Sequence, residues 1–325
     1  MRKTILLLSG FVVTVLVIIA CKDEKKETAT VAMTKEDSLK AIVERGSYLA
    51  HSVVNCVDCH SQFELDKFSF PIKPGTEGGG GVAFHELLPT DIPGKLWVPN
   101  ITPYALKDWT DDEIARAITR GINKKGDTLF PLMPYHGLSR MAKEDVDAVI
   151  AYLRTLKPIE NNIPARQLFI PMAALGPLPD VDYKKNTRPD TANKVKYGEY
   201  LVTIGHCTDC HTPLTKEKMP EMSKYLSGGQ YYKLSSFEVT VANITPDSAT
   251  GIGSWTETMF IQKFRTNSTP QMLSSNPGKF NTIMPWSFFG TMKDNDLKAI
   301  YAYLRTVKPI KNKIEKWPGM ATANK

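Results

Sequence analysis

The feature that most constrains this chain is a five-residue motif that occurs twice. Cys56-Val57-Asp58-Cys59-His60 and Cys207-Thr208-Asp209-Cys210-His211 both read C-x-x-C-H, with equivalent residues 151 positions apart. C-x-x-C-H is the attachment signature of c-type haem: the thiols add across the haem vinyl groups as thioethers, and the following His is held under the ring as an iron ligand. Other uses of the pattern fit less well. A thioredoxin-like redox pair wants a βαβ pattern around it, and none is visible. A zinc ribbon wants its two pairs about 15–20 residues apart. A disulfide across a two-residue spacer closes a small, strained loop. The sequence therefore predicts two covalently bound haems, one on Cys56, Cys59 and His60 and one on Cys207, Cys210 and His211.

The motif belongs to a longer repeat. The same shift carries Met133-Pro134-Tyr135 onto Met284-Pro285-Trp286, Ala151-Tyr152-Leu153-Arg154-Thr155 onto Ala302-Tyr303-Leu304-Arg305-Thr306, and Lys157-Pro158-Ile159 onto Lys308-Pro309-Ile310. Small changes of register align Gly46-Ser47-Tyr48-Leu49 with Gly198-Glu199-Tyr200-Leu201, and Asn100-Ile101-Thr102-Pro103 with Asn243-Ile244-Thr245-Pro246. The chain reads as two copies of one haem module, residues 36–160 and 191–325. The connector, residues 161–190, contains Pro164, Pro171, Pro177, Pro179 and Pro189. Such a segment is stiff, and its apolar middle, Leu168 to Leu178, is expected to pack along both modules.

Each copy reads as mostly helical. Leu39, Ile42, Gly46 and Leu49 share one face of a helix ahead of the first motif. Thr110-Asp111-Asp112-Glu113 has the form of a capping box. Val146, Val149, Ile150 and Leu153 make an apolar stripe ahead of Pro158, repeated by Leu297, Ile300, Tyr301 and Leu304 ahead of Pro309. Gly46 and Gly198 would let the first helix of each copy approach an aromatic of the last, with Tyr152 and Tyr303 as the candidates. Gly78 to Gly81 and Gly228-Gly229 read as loops over the haem, either plainly flexible or in backbone contact with it.

Iron needs a sixth ligand in each copy. No His follows His211, whereas Met133 and Met284 each lie 73 residues beyond the motif His. In a Met-Pro loop, Pro cannot continue a helix and holds the thioether in an extended segment. Met141 and Met292 also match under the repeat, but each begins a helix and reads as core filling. His136 is the alternative for the first haem; its counterpart is Ser287. Met133 and Met284 are thus the expected axial ligands, with His60 and His211 opposite them. Thioether sulfur favours reduced iron, and six filled positions leave no vacancy for substrate. That pattern predicts an electron carrier with no catalytic residues of its own. The rival from another class is a diheme peroxidase-like enzyme, which needs one distal position that can open.

Met1-Arg2-Lys3 followed by the apolar run Ile5 to Ala20 reads as an export signal. The run ends Ile18-Ile19-Ala20-Cys21 and gives way to Lys22-Asp23-Glu24-Lys25-Lys26-Glu27. Small residues before a Cys, then an abrupt charged tether, resemble the lipobox of bacterial lipoproteins, which would put a lipid on Cys21, a signal peptide over 1–20 and a flexible tether over 21–35. An uncleaved membrane helix with Cys21 incidental is the alternative. Either reading places the rest of the chain outside the cytoplasm, at the periplasmic face of a membrane.

The whole chain has 325 residues, 42% hydrophobic and 23% charged, so it is globular and long enough for two domains. Its net charge of +7 is too modest and dispersed to argue for nucleic acid. The charge is uneven, however: residues 36–160 carry 14 Lys+Arg against 18 Asp+Glu, and residues 191–325 carry 17 against 10. One reading is that electrons enter through one module and leave through the other; the alternative is that these charges merely solvate the surface.

Gly198 to Leu201, Asn243 to Asp247, Thr250 to Trp255, Met284-Pro285 and Ile300 to Arg305 together resemble the diheme and triheme cytochrome c subunits of membrane-bound bacterial dehydrogenases, the alcohol and gluconate dehydrogenase type. The resemblance runs from about Arg45 to Ile310. It implies a mostly α fold of two tandem class I cytochrome c-like domains. It also implies partners: a dehydrogenase subunit that supplies electrons, and the quinone pool or a terminal oxidase that takes them. Asn100 and Asn243 would lie near the haem, although a turn-forming role explains Asn-x-Thr-Pro equally well. The chain departs from the family in carrying two haem motifs where three are usual. Its short, polar Lys311 to Lys325 also stands where a membrane-binding segment is often found; the lipid on Cys21 would replace that anchor.

Overall fold

The computed structural model describes residues 35–216 and 219–318. The expected signal segment and Cys21 lie outside the described residues. In chain order the main helices are α1 (Lys35–Tyr48), α2 (Asp111–Arg120), α3 (Tyr135–Leu138) and α4 (Lys143–Leu153), then α5 (Lys194–Ile204), α6 (Glu257–Asn267), α7 (Trp286–Phe289) and α8 (Asp294–Leu304). Sheet is sparse. Strand β1 (Gly94–Lys95) pairs antiparallel with β2 (Gln167–Leu168), and β3 (Tyr231–Lys233) with β4 (Glu238–Thr240).

Two close helix crossings organise the molecule. A Cβ on Gly46 would stand 1.8 Å from the Ala148 carbonyl oxygen and 2.8 Å from Cβ of Tyr152. On Gly198 it would stand 1.9 Å from the Ala299 oxygen and 2.9 Å from Cβ of Tyr303. Only glycine permits α1 to cross α4, and α5 to cross α8, at that distance. The apolar stripe of α4 is buried, and so are Leu297, Ile300 and Leu304 of α8, while Tyr301 is only partly buried. Helix α2 opens with a complete capping box between Thr110 and Glu113.

The face expected along the first helix is shorter than its pattern. Leu39 and Ile42 are 58% and 43% exposed, and burial begins at Gly46.

The two halves share their cores. One cluster joins Leu49, Val53, Val146 and Leu153 to Leu201, Ile204, Leu297 and Leu304. A second packs Phe84, Leu88 and Val98 against Leu234, Phe237 and Val239 of the β3–β4 hairpin. Polar contacts across the seam are reciprocal. Helices α4 and α8 begin at Ala142 and Lys293, neither of which has a side chain that caps. The Tyr200 hydroxyl accepts from the Ala142 N–H (3.1 Å) and donates to Asp145 three residues on (2.7 Å). The Tyr48 hydroxyl does the same for Lys293 (3.1 Å) and Asp296 (2.6 Å). Each half thus supplies the hydroxyl that completes a capping arrangement on the other.

The connector departs from expectation. Within its apolar middle Phe169 is 84% exposed, although Leu168 beside it pairs with Gly94 of the first half. The connector is held by the β1–β2 pairing, by buried Tyr183 in the main core, and by Asn186, whose side-chain amide donates to the carbonyls of Ser139 and Met141.

Candidate haem-binding sites

Each C-x-x-C-H sits on a short helical turn entered through a left-handed residue, Asn55 (φ 51°) in the first half and His206 (φ 59°) in the second. All four motif cysteines are free thiols. Burial pushes the Cys56 and Cys207 thiols up to about 12 and that of Cys210 to about 11. A disulfide oxidoreductase needs the opposite, a thiol with a lowered pKa. The Cys59 side chain is reached by solvent. Its thiol is raised by burial, then by the charges of Asp58, Cys56 and Cys210. Among the described residues no three His, Cys, Asp or Glu side chains gather as a metal site, so the four-ligand zinc arrangement is not formed.

The motif histidines are oriented from behind. Nδ1 of His60 donates to the Pro99 carbonyl and Nδ1 of His211 to the Ala242 carbonyl, both at 2.7 Å. A carbonyl can only accept, so the proton is on Nδ1 and the Nε2 lone pair is free for a metal. Burial lowers the pKa of both imidazoles, and the carbonyl bond opposes it. The glycine loops close the same cradle. Gly80 N–H donates to the His60 carbonyl and Gly228 N–H to that of His211, each at 2.7 Å. With φ of 66° and 68°, these glycines lie where a Cβ would stand 2.5 Å from Pro99 C and 2.4 Å from Ala242 C. The glycine loops back the histidine rather than flex freely.

Asn100 and Asn243 form the turn. Asn100 Oδ1 accepts from Thr102 N–H and hydroxyl (2.8 and 2.7 Å) while Nδ2 donates to the Ile159 carbonyl. Asn243 does the same with Thr245 and Ile310. The turns hold Pro99 and Ala242, the residues just ahead of them, as acceptors for the histidines.

Met133 and Met284 are half-buried in loops that precede α3 and α7, both packed against the main core together with Cys56 and Cys207. Met141 and Met292 are fully buried core residues, as their helix-start positions suggest. His136 is exposed on α3 and does not enter the core.

The two sites adjoin. His206, next to Cys207, donates from Nε2 to the Val54 carbonyl (3.2 Å), two residues ahead of Cys56. Cys59 is close enough to Cys210 for charge there to disfavour ionisation of the Cys59 thiol. Both halves thus place a pair of protonated thiols beside a neutral imidazole with a free Nε2, and in both a Met-Pro loop packs against the same core. The backbone acceptors Pro99 and Ala242 and the seam residue His206 went unread in the sequence. Their one signal is position: the acceptors immediately precede the repeated Asn-Ile-Thr-Pro, and His206 immediately precedes Cys207.

Residues 195–308 match the sequence profile of the cytochrome c family. The second half of this chain holds a cytochrome c domain. The whole chain is similar to the fructose dehydrogenase cytochrome subunit of Gluconobacter japonicus, with 29% identity over 82% of this chain and 52% of that one. It is similar to the cytochrome c subunit of the quinone alcohol dehydrogenase of Gluconacetobacter polyoxogenes, with 29% identity over 84% of this chain and 58% of that one. It is also similar to a diheme cytochrome c-type protein of Cereibacter sphaeroides, with 28% identity over 69% of this chain and 75% of that one. The chain spans a little over half the length of the two dehydrogenase subunits.

Proposed function

We propose that the chain is a diheme c-type cytochrome, built of two tandem class I cytochrome c-like domains, that carries single electrons at the periplasmic face of a membrane. The observation that carries this reading is that both halves hold a motif histidine in the same way, with Nδ1 on a backbone carbonyl and Nε2 free, and that the two motifs adjoin through the His206–Val54 hydrogen bond. When bound, haem would supply reversible one-electron chemistry at iron. Cys56 and Cys59 would anchor the first haem, and Cys207 and Cys210 the second. His60 and His211 offer Nε2, already stripped of its proton by the Nδ1–carbonyl bonds, and Met133 and Met284 offer the opposing thioethers. With those side chains holding the haem iron, no open position would remain for substrate, and the chain would relay electrons without a reaction of its own.

The relatives named as dehydrogenase cytochrome subunits support a dehydrogenase as electron donor, with quinone or a terminal oxidase as acceptor. Among the described residues no helix is long and apolar enough to cross a membrane; attachment is assigned to a lipid on Cys21, and Cys21→Ala should release the protein from membranes. The ligand assignment is tested by spectra of the purified ferric protein. Two low-spin haems with methionine–iron charge-transfer bands are expected, with Met133→Ala opening the first haem alone and Met284→Ala the second alone. A persistent high-spin haem in the unmodified protein, with peroxide turnover, would overturn the carrier reading in favour of the enzyme.

A further inference from the structure

The two Met-Pro loops are built alike but held differently. In both, the carbonyl of the methionine accepts from the N–H two residues on, Tyr135 to Met133 and Trp286 to Met284, each at 2.8 Å. The intervening Pro134 (φ −80°, ψ 48°) and Pro285 (φ −79°, ψ 71°) have the backbone of a tight three-residue turn. At the second loop a side chain from the other half spans that turn. Ser69 Oγ donates to the Met284 carbonyl (2.7 Å) and accepts from Trp286 N–H (2.8 Å). Among the described residues no side chain of the second half reaches the Met133 carbonyl in return.

Ser69 is buried, and it is held in place at a cost. Ser69 and Phe70 both adopt left-handed backbone, φ 63° and 52°, which non-glycine residues enter only when their surroundings impose it. The surroundings are specific. Ser69 N–H donates to Asn281 Oδ1 (2.9 Å), Asn281 Nδ2 donates to the Lys67 carbonyl (2.9 Å), and Phe68 N–H donates to the Ser275 carbonyl (2.9 Å). The Phe70 ring lies 5.7 Å from that of Phe237. Residues 67–70 of the first half are thus sewn into the loop that carries Met284.

We propose that Ser69 is a positioning residue for the second site: its hydroxyl fixes the Met284 backbone, so the first half of the chain sets how firmly the second half's thioether is presented. The proposal rests on Met284 being a haem ligand. Without the hydroxyl, the Met284 carbonyl and Trp286 N–H keep only their mutual bond, and the loop swings more freely.

The test uses the full haem-loaded protein and imidazole as a competing ligand. Signals of the two haems are assigned with Met133→Ala and Met284→Ala. Ser69→Ala and Ser69→Gly should each raise imidazole affinity at the second haem about tenfold, the worth of the two hydrogen bonds lost, and leave the first haem unchanged. Gly suits the left-handed backbone, so Ser69→Gly keeps the fold even where Ser69→Ala weakens it. Unchanged affinity at the second haem in Ser69→Gly, or an equal rise at both haems, overturns the proposal. If Met284→Ala leaves the second haem's methionine signal intact, the ligand assignment itself fails and the proposal falls with it. If Met284→Ala removes that signal while the Ser69 variants bind imidazole as the unmodified protein does, the positioning role alone fails.

Discussion

The first half carries one residue more than the second between its crossing glycine and its haem motif: Gly46 precedes Cys56 by ten positions, Gly198 precedes Cys207 by nine. Helix α5 runs straight to Ile204, whereas α1 gives way to one wide π-type turn over Leu49–Val53, closed by Val54 N–H to the Leu49 carbonyl (2.9 Å). That turn takes up the extra residue and leaves both the glycine crossing and the motif in the same relation as in the second half. The comparison teaches that the crossing and the motif are the fixed points of the repeat, and the backbone between them adjusts.

Elsewhere the halves part company in chemistry. Asp145 is fully buried and surrounded by Arg45 (2.8 and 2.9 Å), Arg188 (3.1 Å) and the Tyr200 hydroxyl. Its counterpart Asp296 has the Tyr48 hydroxyl and no arginine, because Tyr197 stands where Arg45 stands in the first half. The same scaffold position is an ion-pair hub in one half and a single hydrogen bond in the other.

The largest effect is expected at the shared crossing. Gly46→Ala and Gly198→Ala should each cost about 3 kcal/mol or more, since the new carbon meets backbone that cannot yield. Denaturant unfolding of the haem-loaded proteins checks this, and tolerance of either variant would break the equivalence of the halves. Next come the carboxylates. Asp145→Asn should cost about 2 kcal/mol by removing the buried carboxylate that pairs with half-buried Arg45 and exposed Arg188, and Asp296→Asn about 1 kcal/mol; equal losses would erase the distinction drawn between them.

A smaller, pH-dependent difference separates His206 from its counterpart Asn55. Burial lowers the His206 pKa from 6.5 to about 4. The folded state then binds fewer protons than the unfolded one, so stability falls as pH drops below 6.5 and levels off near 4. Thermal midpoints of the unmodified protein should decline across that window, and those of His206→Asn should decline less. The smallest effect concerns the charge of the two halves. Electron-transfer rates with an acidic and with a basic small redox protein should both fall as salt rises, each at a different haem. Reaction of both at one haem would leave the charge difference without functional consequence.

Much of this was legible in the chain itself. C-x-x-C-H, the Met-Pro loops, the capping box of Thr110 and Glu113 and the glycine crossings all depend on spacing along one segment, or on a residue type that alone fits its geometry. The exposed faces of Leu39 and Phe169 were misread because an apolar residue signals a tendency to be covered and does not name what covers it.

What the sequence determined by itself was the chemistry of each site, since thiols, imidazole and thioether are side-chain identities set at short range. What only the tertiary structure decided was the seam. Pro99 and Ala242 serve through backbone carbonyls, which every residue type possesses. Ser69 meets Met284, and Tyr48 meets Asp296, across more than 200 residues of chain. Hydroxyls and carbonyls of that kind have no preferred partner until the shared core brings the halves together.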